Sequence, residues 1–210
     1  STRYLPDDAT PAPSSDAVED LIARARASGD EPLYVMAIGA VTNVASAILA
    51  APDIIEKIVV VWLGSHAHWW PHTKEFNHFQ DVPAVRAVFG SGVPLVQVPC
   101  LGVASHLLTT PAGMQDQVAG RTDIGDYLCE LVETYEYRQP GTWSKVIWDI
   151  ACVGWLLDPS WVRTQLTHAP IAQDDGTFSY SKDRHLIRQA YYVARDPIYW
   201  DLFTKLREMT

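Results

Sequence analysis

Apolar residues concentrate in IVVVWLG (Ile58 to Gly64), the most apolar run of the chain, which reads as a strand buried on both faces. PLYVMAIG (Pro32 to Gly39) reads as an earlier short buried strand and VPLVQVP (Val93 to Pro99) as a later one. Helical spacing lies between them. Val18, Leu21, Ile22 and Ala25 predict a helix from Ser15 or Asp16 to about Ser28, ended by Gly29-Asp30. Further helices are expected from about Thr42 to Ala51 and from Val82 to Ser91, with a short helical piece, DIIEKI, after Pro52. The order β-α-β-α-β, with right-handed crossovers between parallel strands, predicts an α/β fold: a doubly wound, mostly parallel Rossmann-like sheet with helices on both faces.

Downstream, Ile124, Leu128, Leu131, Val132 and Tyr135 predict one helix from about Gly113 to Tyr137. A second, Trp148 to Leu157, is stopped by Asp158-Pro159. The tail from Thr164 predicts a hairpin or loop around Asp174-Asp175-Gly176 and a last helix from about Ile198 to Met209. Residues Ser1 to Ser15, rich in Pro, Asp and Ser, read as loop, and one domain over residues 1–210 is the expectation.

The pattern changes abruptly after IVVVWLG, where GSHAHWWPHTKEFNHFQD (Gly64 to Asp81) fills with groups that bind polar ligands. In open α/β sheets ligands collect beyond the carboxyl ends of the strands, so this loop is the expected site. Within it, Glu75 and Asn77 are two apart, and in an extended segment both point to one side, with Phe76 facing the other, as a pair that grips hydroxyls. His66, His68, His72 and His78 are irregularly spaced and read as backbone partners or pocket edge rather than a transition-metal cluster.

Composition excludes several classes. With 20% charged and 48% apolar residues among 210, the chain has the makeup of an ordinary globular protein. No apolar run approaches the roughly 18 residues of a membrane span. A net charge of −9 without a basic stripe argues against nucleic acid as partner. Cys100, Cys129 and Cys152 lack metal-type spacing and read as buried thiols of a reducing compartment, the cytoplasm. The chain opens at Ser1 rather than Met and reads as a processed product or fragment. No G-x-G-x-x-G or Walker-type loop supports an unrelated nucleotide-phosphate enzyme.

From about Ser15 onward the sequence resembles the nucleoside hydrolases, calcium-dependent enzymes that cleave the N-glycosidic bond of ribonucleosides. MAIGAVTNVASAI (Met36 to Ile48) looks like that family's strand, turn and helix; EFN with Asp81 looks like its ribose motif; SGVPLVQVP looks like its next strand; and KVIWDIACVGWLLDP (Lys145 to Pro159) looks like its segment carrying an aspartate ligand. The resemblance implies that Glu75, Asn77 and Phe76 sit at the ribose, that Asp149 and the Ile38 carbonyl bind Ca²⁺, and that His66 stands near the ribose 5′ hydroxyl, where family members often place an asparagine. It also implies purine nucleosides as substrates, because Trp148 resembles the Trp-Asp pattern of the purine-specific branch, which stacks the base on the indole. Apart from the resemblance, Asp149 reads as a helix N-terminal acid and Trp148 as a core tryptophan. Trp62, Trp143, Trp155 and Trp161 read as packing.

The family also opens with an aspartate-rich strand end that supplies further calcium ligands and the general base, and nothing in Ser1 to Ser15 resembles it, Asp7-Asp8 included. The expectation is therefore a family-like fold lacking the N-terminal strands, with no catalytic base of its own and inactive alone. Its expected partners are a nucleoside or ribose, the missing N-terminal segment as a possible separate chain, and further copies of itself. A dead relative that only binds nucleosides or ribose, or serves as a structural subunit, is the alternative.

Overall fold

Ser15 opens the first helix, α1 (Asp16–Ala27): its hydroxyl accepts from the Val18 N–H at 3.4 Å, with acidic residues in the first turn and Arg24 and Arg26 in the last, as the helix dipole favours. The computed structural model describes residues 4–5, 14–139 and 141–209, so most of the loop expected over Ser1 to Ser15, with Asp7-Asp8, lies outside the described residues. Next come β1 (Leu33–Ala37), α2 (Thr42–Ala50), a 3-10 helix (Pro52–Lys57) and β2 (Ile58–Leu63). After the polar loop follow α3 (Phe76–Phe79), α4 (Val82–Gly90) and β3 (Leu95–Val98). β1, β2 and β3 pair in parallel, from Leu33 beside Ile58 to Leu63 beside Val98. The α/β prediction holds.

Alternation along β2 divides the interior. Val60 and Trp62 enter one core with α1, α2 and α4, while Val61 and Leu63 enter the core on the other face. That second core is covered by β4 (Leu108–Thr109), α5 (Pro111–Gln117), α6 (Asp123–Glu133), β5 (Lys145–Val146), α7 (Ile150–Leu157) and, later, α8 (Arg195–Glu208), with Met114, Val132, Cys152 and Phe203 among its residues. Helices thus lie on both faces, as two apolar sheet faces require.

Four expectations need correction. The single helix from Gly113 to Tyr137 is two, because the chain turns at Gly120 (φ +67°) and Thr122 then caps α6 through the Gly125 N–H. The tail carries more than a hairpin. β6 (Val162–His168) pairs antiparallel with β9 (Leu186–Val193), and β9 adds to the sheet beside β3, giving the order β1-β2-β3-β9-β6; the expected turn at Asp174-Asp175-Gly176 joins the short β7 (Ile171–Ala172) and β8 (Phe178–Ser179). The predicted helix from Trp148 begins only at Ile150. Finally, β1 is not fully buried: among the described residues it pairs only with β2, and Tyr34, Met36 and the following Ile38 remain 48%, 47% and 52% exposed.

Candidate functional site

At the carboxyl end of β2 the chain bends sharply. A side chain at Gly64 would collide with the Trp62 ring at 2.1 Å, so only glycine fits there, and Ser65 follows at φ +63°, a left-handed conformation uncommon outside glycine. This bend turns the Ser65 N–H onto Glu75 Oε2 at 2.9 Å. Glu75 is the N-cap of α3: its Oε1 accepts the Asn77 N–H (2.9 Å) and its Oε2 the His78 N–H (3.0 Å). The expected extended Glu75-Phe76-Asn77 segment is therefore a helix start, because the carboxylate satisfies backbone donors that a helix leaves open. Phe76 is left 78% exposed.

Asn77 is buried and donates through Nδ2 to the carbonyls of Leu63 (2.9 Å) and Ile38 (3.4 Å), tying the ends of β2 and β1 to α3. Asp81 caps α4 through the Ala84 N–H (3.0 Å) and also receives the Thr42 hydroxyl and the Leu5 N–H. It holds the loop in place beneath the cavity's wall rather than lining the cavity.

A cavity of about 650 Å³ opens over these strand ends. Of the residues singled out from the sequence, Glu75, Phe76, Asn77, His66, Ile38, Trp148 and Asp149 line it, whereas His68, His72, His78 and Asp81 do not. Sequence reasoning missed Lys74, Cys100, Leu101 and Tyr135, which share the lining. Tyr135 lies just beyond α6, stacks on Trp143 with ring centroids 5.8 Å apart, and carries the Lys145 ammonium 4.2 Å over its ring. Only the aromatic run Tyr135, Tyr137, Trp143 hinted at it.

Electrostatics distinguish the groups. Asp149 stands at the N-cap of α7 yet makes no capping hydrogen bond, and burial raises its carboxyl above the ordinary range against the opposing pull of Lys145. The helix-end reading thus explains its position but not its unengaged side chain. Burial, and secondarily His72, lowers His66 to about 4, and the Leu101 N–H points to its Nδ1 at 3.3 Å, so it is a neutral ring at physiological pH. Burial pushes the Cys100 thiol strongly up, helped by the nearby Glu75 carboxylate. Cys152 is raised to about 12, chiefly by burial. All three cysteines are buried and unpaired.

Among the described residues no three His, Cys, Asp or Glu side chains cluster as a metal site, and no helix is long and apolar enough to cross a membrane. The oxygens suited to a hard cation are the Asp149 carboxylate and the Ile38 carbonyl, both at the cavity.

A family model described as inosine-uridine preferring nucleoside hydrolase matches residues 2–193. The pyrimidine-specific ribonucleoside hydrolase RihB of Escherichia coli strain UMN026 is 29% identical over 175 residues, covering 79% of this chain and 54% of its own. That of Escherichia coli strain HS is 27% identical over 171 residues, with the same coverage of 79% and 54%. The chain spans about half the length of these relatives. Among solved structures, an inosine-uridine preferring nucleoside hydrolase from Bacillus anthracis aligns with TM-score 0.71 at 20% identity, over 94% of this chain and 67% of that one. The type III effector XopQ complexed with adenosine diphosphate ribose aligns with TM-score 0.65 at 16% identity, over 92% and 65%. At these identities the structural likeness speaks for the fold.

Proposed function

The chain belongs to the inosine-uridine preferring nucleoside hydrolase family, and from that premise we propose that its cavity holds a ribonucleoside by the ribose and serves hydrolysis of the N-glycosidic bond to ribose and free base. The observation that carries this reading is the gathering of Glu75, Asn77, Asp149 and Trp148 around one cavity, from segments up to 74 positions apart in sequence. Cleavage gives the ribose ring oxocarbenium character, so acceptors held rigidly at its hydroxyls gain strength as charge develops. Glu75 is rigid. Three backbone N–H groups fix it, on a carboxylate that offers about four acceptor positions. The remaining position is the one a ribose hydroxyl takes. Phe76 borders the sugar at the exposed mouth, and neutral His66 walls the side where the 5′ hydroxyl lies.

The donor set agrees in kind with Ca²⁺, since Asp149 and the Ile38 carbonyl are hard oxygens, but two protein ligands fall short of the usual six to eight. Bound there, the ion would polarise water and sugar hydroxyls as a Lewis acid. The remaining ligands and the water-activating base would come from outside the described residues, because Glu75 is occupied by its backbone donors and Asp149 would hold the cation. The described residues alone are accordingly expected to bind Ca²⁺ weakly and to show no turnover. Assembly with further copies, or with a separate chain that supplies the remaining ligands, is part of the same reading. The buried, unpaired thiols suit a reducing, cytoplasmic setting.

For the base, Trp148 favours purines by stacking, in contrast to the pyrimidine specificity in the names of the Escherichia coli relatives. Stacking is worth about 0.5–1.5 kcal/mol, so Trp148→Ala is expected to weaken inosine about 2- to 13-fold and uridine less. Calorimetric titration of both nucleosides against both proteins checks this. Equal losses would reduce Trp148 to a packing residue. The adenosine diphosphate ribose bound to XopQ favours a second reading, ribosyl binding without turnover. Affinity for inosine with no free base released under any complementing condition would select it.

A further inference from the structure

Among the described residues that line the main cavity, Lys74 is the one lysine or arginine. Every salt bridge among the described residues joins other groups, so its ammonium has no carboxylate partner there. The acids of the neighbouring turn between β7 and β8 are engaged elsewhere: Asp174 pairs with Arg86, and Asp175 accepts both the N–H and the hydroxyl of Thr177. In a chain of net charge −9, a cation left uncompensated on a cavity wall is a receptor for an anionic ligand.

The same turn fixes where this lysine stands. The Thr73 N–H donates to the Gly176 carbonyl at 2.7 Å, and a side chain at Gly176 would meet Lys74 Cγ at 2.8 Å, so the aliphatic stem lies along the glycine and leaves the charged head free. Two imidazoles complete this corner. His72 accepts the Lys74 N–H on Nδ1 at 3.3 Å, and its ring centroid lies 5.4 Å from that of His66. The Leu101 N–H points in the same way at His66 Nδ1, at 3.3 Å. A backbone donor at Nδ1 leaves the ring proton on Nε2, so neither ring keeps a lone pair there for a metal, and each is a hydrogen-bond donor instead. His66, on the cavity wall, is thus a neutral N–H donor close to a full positive charge. That combination suits phosphate oxygens, which take a point charge and several donors at once.

We propose that Lys74 and His66 form a subsite for a phosphate carried on the ribose 5′ oxygen, so that the cavity takes ribonucleoside 5′-monophosphates in preference to nucleosides. This deepens the hydrolase reading and rests on its placement of the ribose, with the sugar hydroxyls at Glu75 and Asn77 and the 5′ carbon toward His66. Lys74 directly precedes Glu75, so one short segment grips the sugar and the phosphate. The Glu75 carboxylate does not repel such a ligand strongly, because three backbone N–H groups already meet its charge. Cleavage of the same N-glycosidic bond would then give ribose 5-phosphate, water placing its hydroxyl on C1′ and its proton on the departing base.

Calorimetric titration of the chain with inosine, inosine 5′-monophosphate, ribose 5-phosphate and inorganic phosphate tests this at low ionic strength. The monophosphate is expected to bind about tenfold or more tightly than inosine, as one charge-assisted contact allows. In Lys74→Gln that ratio should fall to about one, and Lys74→Arg should keep it; Lys74 is exposed, so neither change threatens the fold. Raising salt to about 0.5 M should shrink the preference in the parent. A monophosphate that binds no better than inosine, or a preference that survives Lys74→Gln, overturns the proposal. Inorganic phosphate binding as tightly as the monophosphate also overturns it, since the ribose would then play no part. Inosine bound without any gain from the phosphate leaves the hydrolase reading standing alone. A Lys74-dependent gain of ribose 5-phosphate over inorganic phosphate, in a chain that ignores inosine, would keep the subsite and remove the nucleoside reading instead.

Discussion

Glu75→Ala is expected to lose about 3–6 kcal/mol of folding stability, before any question of activity arises. Its carboxylate accepts the N–H groups of Ser65, Asn77 and His78 in a buried setting, and each donor left without a partner costs about 1–3 kcal/mol. Water entering from the cavity would satisfy some of them, which sets the lower end of the range. A domain of this size shifts by about 2–4 °C per kcal/mol, so the melting midpoint should fall by about 6–24 °C. Glu75→Gln keeps the shape and one acceptor oxygen but turns an amide toward backbone donors, so it should lie between the two. The glutamine variant separates the roles: it should remain folded at 25 °C and still fail to bind nucleoside. Urea denaturation of the three proteins decides it, and an alanine variant within 1 kcal/mol of the parent would remove the capping account.

Asp149→Asn is expected to do the opposite, harming chemistry while sparing the fold. The carboxylate makes no capping bond, and its raised pKa means that the folded state holds the proton more tightly than the unfolded chain does. Its contribution to stability is thus present at acid pH and lost as the pH rises past the ordinary carboxylate range, so at pH 7 the charged group opposes folding. The asparagine variant should melt no lower than the parent at pH 7 and show less decline as the pH rises past the ordinary carboxylate range. In whichever assembly hydrolyses nucleosides, the same change should reduce turnover about a thousandfold, which corresponds to about 4 kcal/mol of lost transition-state stabilisation by the cation. Calcium should also cease to raise the melting temperature. A variant that melts well below the parent would mark Asp149 as structural.

Much of this was legible because the informative segments are local. Uninterrupted apolar runs announced β2 and β3, and the abrupt polarity after Gly64 placed the loop where parallel strands end. The pair β6 and β9 was not legible. Their residues alternate Arg, Gln, Thr and His with apolar ones, since one face of this antiparallel pair is solvated, and no continuous apolar run marks them. Tyr135 reaches the cavity only through the packing of Trp143 and Lys145 around it, contacts that no spacing rule foresees. Glu75 was recognised as a site residue, but its capping role was hidden because Ser65, which shares it, is ten positions away and bent by a backbone conformation that sequence seldom betrays.

The most direct measurement is the crystal structure of the chain soaked with inosine. The account predicts the ribose 2′ and 3′ hydroxyls within about 2.5–3.2 Å of the Glu75 carboxylate and the Asn77 amide, and the base lying over Trp148. A nucleoside bound in the reverse orientation, with its base at Glu75, or a cavity that stays empty, would contradict it.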